Sequence, residues 1–263
     1  MNLLKAFTLN LKAYLKYFLN RGAFLRGNFS SWTNALNHSD SYADPEIFEK
    51  VKRSAQIAKK NKKLFEQDSI LIDRIRYSLP SIAGLLYFAV KNNRKLTIVD
   101  FGGSLATVYF QYQKFLKKIK NLRWCIVEQA QFEKFGNKYL SEKKLSFYNN
   151  LDKCIKKEKP DVFFASSSLQ YVDQPYDILK KVVSYKIDNI LIDLTPFHEK
   201  KDTIKIQYNP NSIYKKSYPI NILNEKKFIK FMIHNNYILL EKFETDRNIG
   251  NLTYKGFIFE RKK

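Results

Sequence analysis

The stretch Leu96-Thr-Ile-Val-Asp100-Phe-Gly-Gly103 limits the fold more than any other part of this 263-residue chain. It opens on a short apolar run rich in β-branched side chains. Such runs form strands buried on both faces, as in parallel sheets covered by helices. The run ends on an acid and two glycines, so it feeds a tight turn. The same texture returns at Trp124-Cys-Ile-Val-Glu128, Leu145–Tyr148, Asp161–Ala165 and Asn189–Asp193, with helical stretches between. Strands alternating with helices predict a parallel sheet with helices on both faces.

The flanks differ. Residues 1–94 read as helical: Asp44-Pro45-Glu46 combines an N-cap acceptor with proline in the first turn, and Pro80 opens an apolar helix, Ser81 to Val90. At the other end, Glu225 to His234 is an amphipathic helix. Tyr237–Phe243 and Gly256–Phe259 follow as two strands across a polar loop of about a dozen residues, compatible with an antiparallel hairpin. The expected fold is α/β and Rossmann-like, that of class I methyltransferases. It has a seven-stranded, mostly parallel sheet with a C-terminal antiparallel hairpin in residues 95–263, preceded by the helical N-terminal region.

The formal net charge of +22 favours anionic partners. Lysine is abundant together with Asn, Ile, Tyr and Phe, a bias that AT-rich codons would produce. No nucleic-acid-binding signature accompanies the charge, and no nucleic acid is expected as partner. The first thirty residues hold five basic residues and no acid. Within them, over about residues 3–20, Leu4, Phe7, Leu11, Tyr14, Leu15 and Phe18 recur at helical spacing with Lys5, Lys12 and Lys16 on one flank. This helix either packs on the protein's own body or lies on an anionic membrane surface. Lysines interrupt it too often for a signal-peptide core. Cys125 and Cys154 match neither a disulfide framework nor a zinc pattern, so no metal is expected. The expected location is the cytoplasm, with peripheral contact on the inner face of the membrane under the second reading.

The strand tips carry the chemistry. Asp100-Phe101-Gly102-Gly103-Ser104 lets the backbone approach a ligand closely ahead of a helix N-terminus. Glu128 ends the next strand, where a nucleotide site places an acid to accept hydrogen bonds from ribose hydroxyls. Two acids at consecutive tips suit an adenosine-containing cofactor, S-adenosylmethionine or NAD. Ser166, Ser167 and Ser168 with Gln170 and Tyr171 border the same crevice, and Asn149 and Asn150 offer an adenine-side contact. At the fifth tip, His198 is a candidate base and Asp193 an alternative base or orienter.

Asp100-Phe-Gly-Gly-Ser104, Tyr109-Phe-Gln111, Val127-Glu-Gln129, Ser166-Ser-Ser-Leu-Gln-Tyr171, Asp193-Leu-Thr-Pro-Phe197 and Tyr214-Lys-Lys-Ser-Tyr-Pro219 occur in this order. With Trp32-Thr-Asn-Ala35 and Tyr42, the set resembles a methyltransferase family encoded in bacterial O-antigen, lipopolysaccharide and capsule gene clusters. The resemblance spans nearly everything from residue 29 and implies S-adenosylmethionine as cofactor, with Gln129 beside Glu128 in its site. It also implies a sugar acceptor, a nucleotide sugar or a growing, even lipid-linked, glycan. Asn211, Tyr214, Ser217 and Tyr218 are candidate acceptor-wall residues. Leu194 departs from the pattern, which has an arginine there. Two rivals remain: a nucleic-acid methyltransferase, whose Asn/Asp-Pro-Pro-Tyr/Phe tetrapeptide is missing, and a non-catalytic, membrane-associated scaffold of the same fold.

Overall fold

The computed structural model describes residues 3–263 apart from 21 and 62, with backbone alone for residues 3–6. In chain order the elements begin with α1 (Leu3–Phe18), β1 (Phe24–Phe29), α2 (Trp32–Leu36), α3 (Pro45–Lys60), β2 (Phe65–Gln67), β3 (Ile70–Ile72) and α4 (Leu79–Lys91). The alternating half follows: β4 (Lys95–Phe101), α5 (Thr107–Leu116), β5 (Asn121–Val127), α6 (Ala130–Tyr139), β6 (Leu145–Tyr148), α7 (Leu151–Glu158), β7 (Val162–Ser166), α8 (Pro175–Ser184) and β8 (Asn189–His198). Last come β9 (Thr203–Tyr208), β10 (Ser217–Asn224), α9 (Glu225–His234), β11 (Tyr237–Ile249) and β12 (Leu252–Arg261).

The expected seven strands form one run, β6-β5-β4-β7-β8-β12-β11, parallel up to β8 and antiparallel beyond it. Strands β4, β5 and β7 are buried almost throughout, which is why they read as apolar runs. The sheet separates two apolar clusters. One is centred on Trp124, Phe164 and Leu85, the other on Phe163, Phe228 and Phe257. Helix α3 starts where expected, with Asp44 accepting the Glu46 amide (2.9 Å) and Pro45 in the first turn.

Three features depart from the sequence reading. Residues 1–94 are not wholly helical, since they contain β1 and the β2–β3 hairpin. The hairpin turns on Asp68 and Ser69, both with positive φ (50° and 69°). Strands β11 and β12 are longer than expected, and a turn at Gly250-Asn251 replaces the long polar loop. Finally, β8 overshoots the sheet tip. Leu194 takes a left-handed conformation (φ 47°), and residues 195–198 run on beside β12 and β10. From that overshoot the sheet continues as β10-β9-β1, so an N-terminal strand closes its far edge by pairing with residues 204–208.

Candidate active site

At the carboxyl end of β4 the chain winds tightly: Gly102, Ser104 and Ala106 all have positive φ (71°, 53° and 66°). A Cβ on Gly102 would lie 2.4 Å from the Ser168 Cβ, and one on Gly103 2.5 Å from Asp100 Oδ2. Side chains are excluded here, so the backbone is bared. Asp100 is fully buried and accepts the Trp124 indole N–H at 2.9 Å. Burial pushes its carboxyl up to about 7, the Trp124 hydrogen bond opposes this, and the nearby Glu128 charge adds to it. Glu128, at the tip of β5, accepts the Gln129 amide at 2.8 Å. Burial raises it likewise to about 7, against hydrogen bonds from the Gln129 and Ser104 amides.

Two adjoining cavities flank this turn. The first, about 400 Å³, is lined by Gly102, Phe101, Glu128, Gln129, Asn149 and Ser168, with Asn150, Tyr171 and Tyr42 at its border. The second, about 140 Å³, is lined by Asp100, Gly103, Ser104, Ser166, Tyr214 and Arg247. Tyr42, Gly102 and Ser167 belong to both. Tyr42 stacks on Tyr171 (5.1 Å, 9°) and meets Tyr218 edge-on (5.0 Å), so the loop before α3 roofs the crevice. Two hydrogen bonds from Ser217, amide and hydroxyl, to Asp40 Oδ2 (2.9 and 3.0 Å) pin that loop to β10. A third cavity of about 470 Å³ opens beyond Leu194 and Arg247, walled by Asp68, Arg76 and Ser78.

The structure thus gathers Asp100, Phe101, Gly102, Gly103, Ser104, Glu128, Gln129, Asn149, Asn150, Ser166, Ser167, Ser168, Tyr171 and Tyr214 around one crevice. Ser168 Oγ is buried with no hydrogen-bond partner among the described residues, a donor and acceptor left for a ligand. Asn150 is partly committed elsewhere, its Oδ1 capping α7 through the Lys153 amide (2.9 Å).

Other candidates fall outside. His198 lines none of these cavities. The overshoot of β8 carries it away from the tip, and its ring nitrogens meet the Lys200 amide (2.9 Å) and the Thr203 hydroxyl (3.2 Å). The expectation that its imidazole faces the crevice is corrected accordingly. Asp193 is sealed beneath the tip, held by the Ser81 hydroxyl (2.7 Å) and the Leu194 amide (2.8 Å). It props the left-handed Leu194 and is not open to a substrate. Gln170 is fully buried and ties Ser167 Oγ (3.2 Å) to Leu194 O (3.4 Å) behind the wall. Tyr218 also sits behind, its hydroxyl on that of Tyr214 (2.8 Å). Ser217 serves the Asp40 latch, and Asn211 is exposed and lines none of the three cavities.

Sequence reasoning missed Glu66, Asp68, Arg76 and Arg247, all of which line the crevice. The first two ride on the β2–β3 hairpin, whose signal is a two-residue Asp-Ser turn between apolar residues. Buried Glu66 is raised to about 7 by desolvation, while hydrogen bonds from the Thr107 hydroxyl and Ser69 amide oppose the shift.

The sequence matches no family model and no curated protein. Solved structures do match by fold. The N-terminal domain of EvdMO1, crystallised in the presence of S-adenosylhomocysteine and D-fucose, aligns with 84% of this chain and 98% of its own at 11% identity (TM-score 0.51). Magnesium protoporphyrin IX methyltransferase (ChlM) from Synechocystis PCC 6803, with bound S-adenosylhomocysteine, aligns over 87% and 99% at 9% identity (TM-score 0.51). LepI in complex with S-adenosylmethionine aligns over 99% of this chain and 64% of its own at 11% identity (TM-score 0.51). The fold is that of class I S-adenosylmethionine-dependent methyltransferases.

Proposed function

We propose that this chain is an S-adenosylmethionine-dependent methyltransferase that methylates a sugar hydroxyl during surface-polysaccharide biosynthesis. The observation that carries the cofactor assignment is the placing of two carboxyls, Asp100 and Glu128, at the ends of the paired parallel strands β4 and β5 around a turn that excludes side chains. When bound, the cofactor supplies an electrophilic methyl on a sulfonium centre. Asp100 suits the ammonium of its amino-acid end, Glu128 the ribose hydroxyls, and the bared Gly102–Ser104 backbone close approach. Asn149, Gln129 and unpartnered Ser168 fit the nucleoside side.

Direct displacement at a methyl needs acceptor, carbon and sulfur in line more than covalent help. The rigid tip of β7, with Ser167 bridging Arg247 and Gln170, and the Tyr42–Tyr171–Tyr218 wall hold that geometry. Tyrosine faces also suit the apolar faces of sugar rings. D-fucose in the EvdMO1 structure and the resemblance to polysaccharide-cluster enzymes favour the sugar reading. Calorimetric titration with S-adenosylmethionine, S-adenosylhomocysteine and NAD tests it. Micromolar binding of the first two supports the assignment, whereas binding of NAD alone, or of none, overturns it.

We also infer that the enzyme works against an anionic membrane surface. Helix α1 turns Asn10 and Ala13 toward β1 and the β11–β12 turn, while Phe7, Leu11, Leu15 and Phe18 are 67, 46, 52 and 65% exposed. Lys12 and Lys16 accompany this apolar face, and no acid precedes Asp40. The side chains of Leu4 and Lys5 lie outside the described residues. Among the described residues no helix is long and apolar enough to cross a membrane, so contact would be peripheral. Vesicles with about 30% phosphatidylserine should bind the protein at least tenfold better than neutral ones, with binding lost in Phe7→Glu/Leu15→Glu. Equal binding to both vesicle types, or no loss in the variant, would refute this.

A further inference from the structure

Arg247 stands near the end of the long strand β11 and lines both the small cavity beside Ser166 and the larger one beyond Leu194. Its side chain is only 28% exposed, and it lies over the Tyr254 ring, 5.3 Å from guanidinium carbon to centroid. Among the described residues the guanidinium makes one hydrogen bond, from Nη1 to Ser167 Oγ at 3.1 Å. Its nearest carboxylate, Asp68, is 3.9 Å away, close enough to offset charge but too far to accept a hydrogen bond. A guanidinium has five N–H donors, so four are without a protein acceptor. Burying such a group is costly unless its donors find partners.

Arg76 lines the same two cavities, and among the described residues it has neither a hydrogen bond nor an ion pair. Asp68, Glu244 and Asp246 also line the larger cavity, so it is not a diffuse basic patch. What distinguishes Arg247 is a planar fork, held by Tyr254 and Ser167, with open donors facing the crevice. That geometry matches the two oxygens of a carboxylate or phosphate.

We propose that Arg247, seconded by Arg76, binds an oxyanion of the methyl acceptor, which makes the acceptor an acidic sugar: a uronate or a sugar phosphate. This rests on the methyltransferase reading above and names its substrate class. Because Ser167 lines both the small cavity and the one beside Glu128, docking the anion on Arg247 would fix the sugar beside the transfer site.

The test uses the S-adenosylhomocysteine-saturated full chain, following the Arg247 Nε–Hε resonance during titration with glucuronate, inorganic phosphate and neutral glucose. One anion should give a saturable shift at millimolar concentration and glucose none; glucuronate or phosphate as the effective probe separates uronate from phosphate acceptors. Arg247→Gln should weaken that anion at least tenfold while S-adenosylhomocysteine affinity stays within threefold, and Arg247→Lys should fall between. A resonance indifferent to both anions in protein that still binds S-adenosylhomocysteine overturns the proposal. So does an Arg247→Gln variant that loses S-adenosylhomocysteine equally, since the guanidinium would then serve the cofactor's own carboxylate. If wild-type protein binds no S-adenosylhomocysteine, the methyltransferase reading fails first and the acceptor assignment falls with it.

Discussion

Glu128→Ala should weaken S-adenosylhomocysteine binding by about two orders of magnitude without lowering the melting temperature. Each hydrogen bond to a charged acceptor contributes about 1.5–3 kcal/mol, so losing a ribose diol's pair removes roughly 3–6 kcal/mol, the lower end of which is the two orders of magnitude expected. The fold does not need this carboxylate, which meets only the Gln129 and Ser104 amides beside it. Its folded value near 7 exceeds the unfolded value of about 4.3, so the native state holds an extra proton between the two. Its contribution to stability therefore falls as pH rises from about 4 to 7, and the alanine variant should melt at the same or a higher temperature at pH 8. Binding has the opposite pH dependence, because the ionised carboxylate is the better acceptor. Wild-type affinity should fall as pH drops through 7, with a shallower fall in the variant. Unchanged affinity in Glu128→Ala would remove Glu128 from the site.

Gly102→Ala should damage both stability and cofactor binding. The left-handed backbone (φ 71°) penalises any side chain by about 1 kcal/mol. The new Cβ would also lie 2.4 Å from Ser168 Cβ, where neither strand tip has room to move. Overpacking adds about 1–3 kcal/mol. Together these should lower the melting temperature by roughly 5–12 °C and abolish measurable cofactor binding, because relief comes only by opening the turn. Gly22→Ala is the control: its nearest neighbour would be Lys16 Cβ at 3.9 Å, and both readouts should hold. Retained cofactor affinity in Gly102→Ala would mean that the turn is not the binding element.

What was legible in the sequence followed from burial. Strands β4, β5, β7 and the first half of β8 are apolar runs because both faces are covered, and the residues at their ends open on the crevice because the sheet ends there. That logic singled out Asp100, Gly102 and Glu128, which the structure brings around one crevice. His198 was misplaced because the same logic ends the strand at Asp193, whereas β12 and β10 go on pairing with residues 195–198. Strand β1, Phe-Leu-Arg-Gly-Asn-Phe, carries no clean alternation, and its partner β9 lies about 180 residues away. Arg247 lies among Glu244, Thr245, Asp246 and Asn248, so its sequence reads as solvated surface. It turns inward where the β11–β12 ladder slips register between Glu244 and Asn248.

The pairing of β1 with β9, and the Asp40–Ser217 latch beside it, also bear on the order in which the chain comes together. A ribosome releasing this chain delivers Asp100, Glu128 and Ser168 before β9 and β10 exist, and Tyr42 can then meet Tyr171 but neither Tyr218 nor the Ser217 end of the latch. Contacts spanning so much of the chain form late and slowly. The chain up to β8 therefore lacks the partners that fasten the loop before α3. A ligand added to a chain truncated there would meet a Tyr42–Tyr171 cover without its latch.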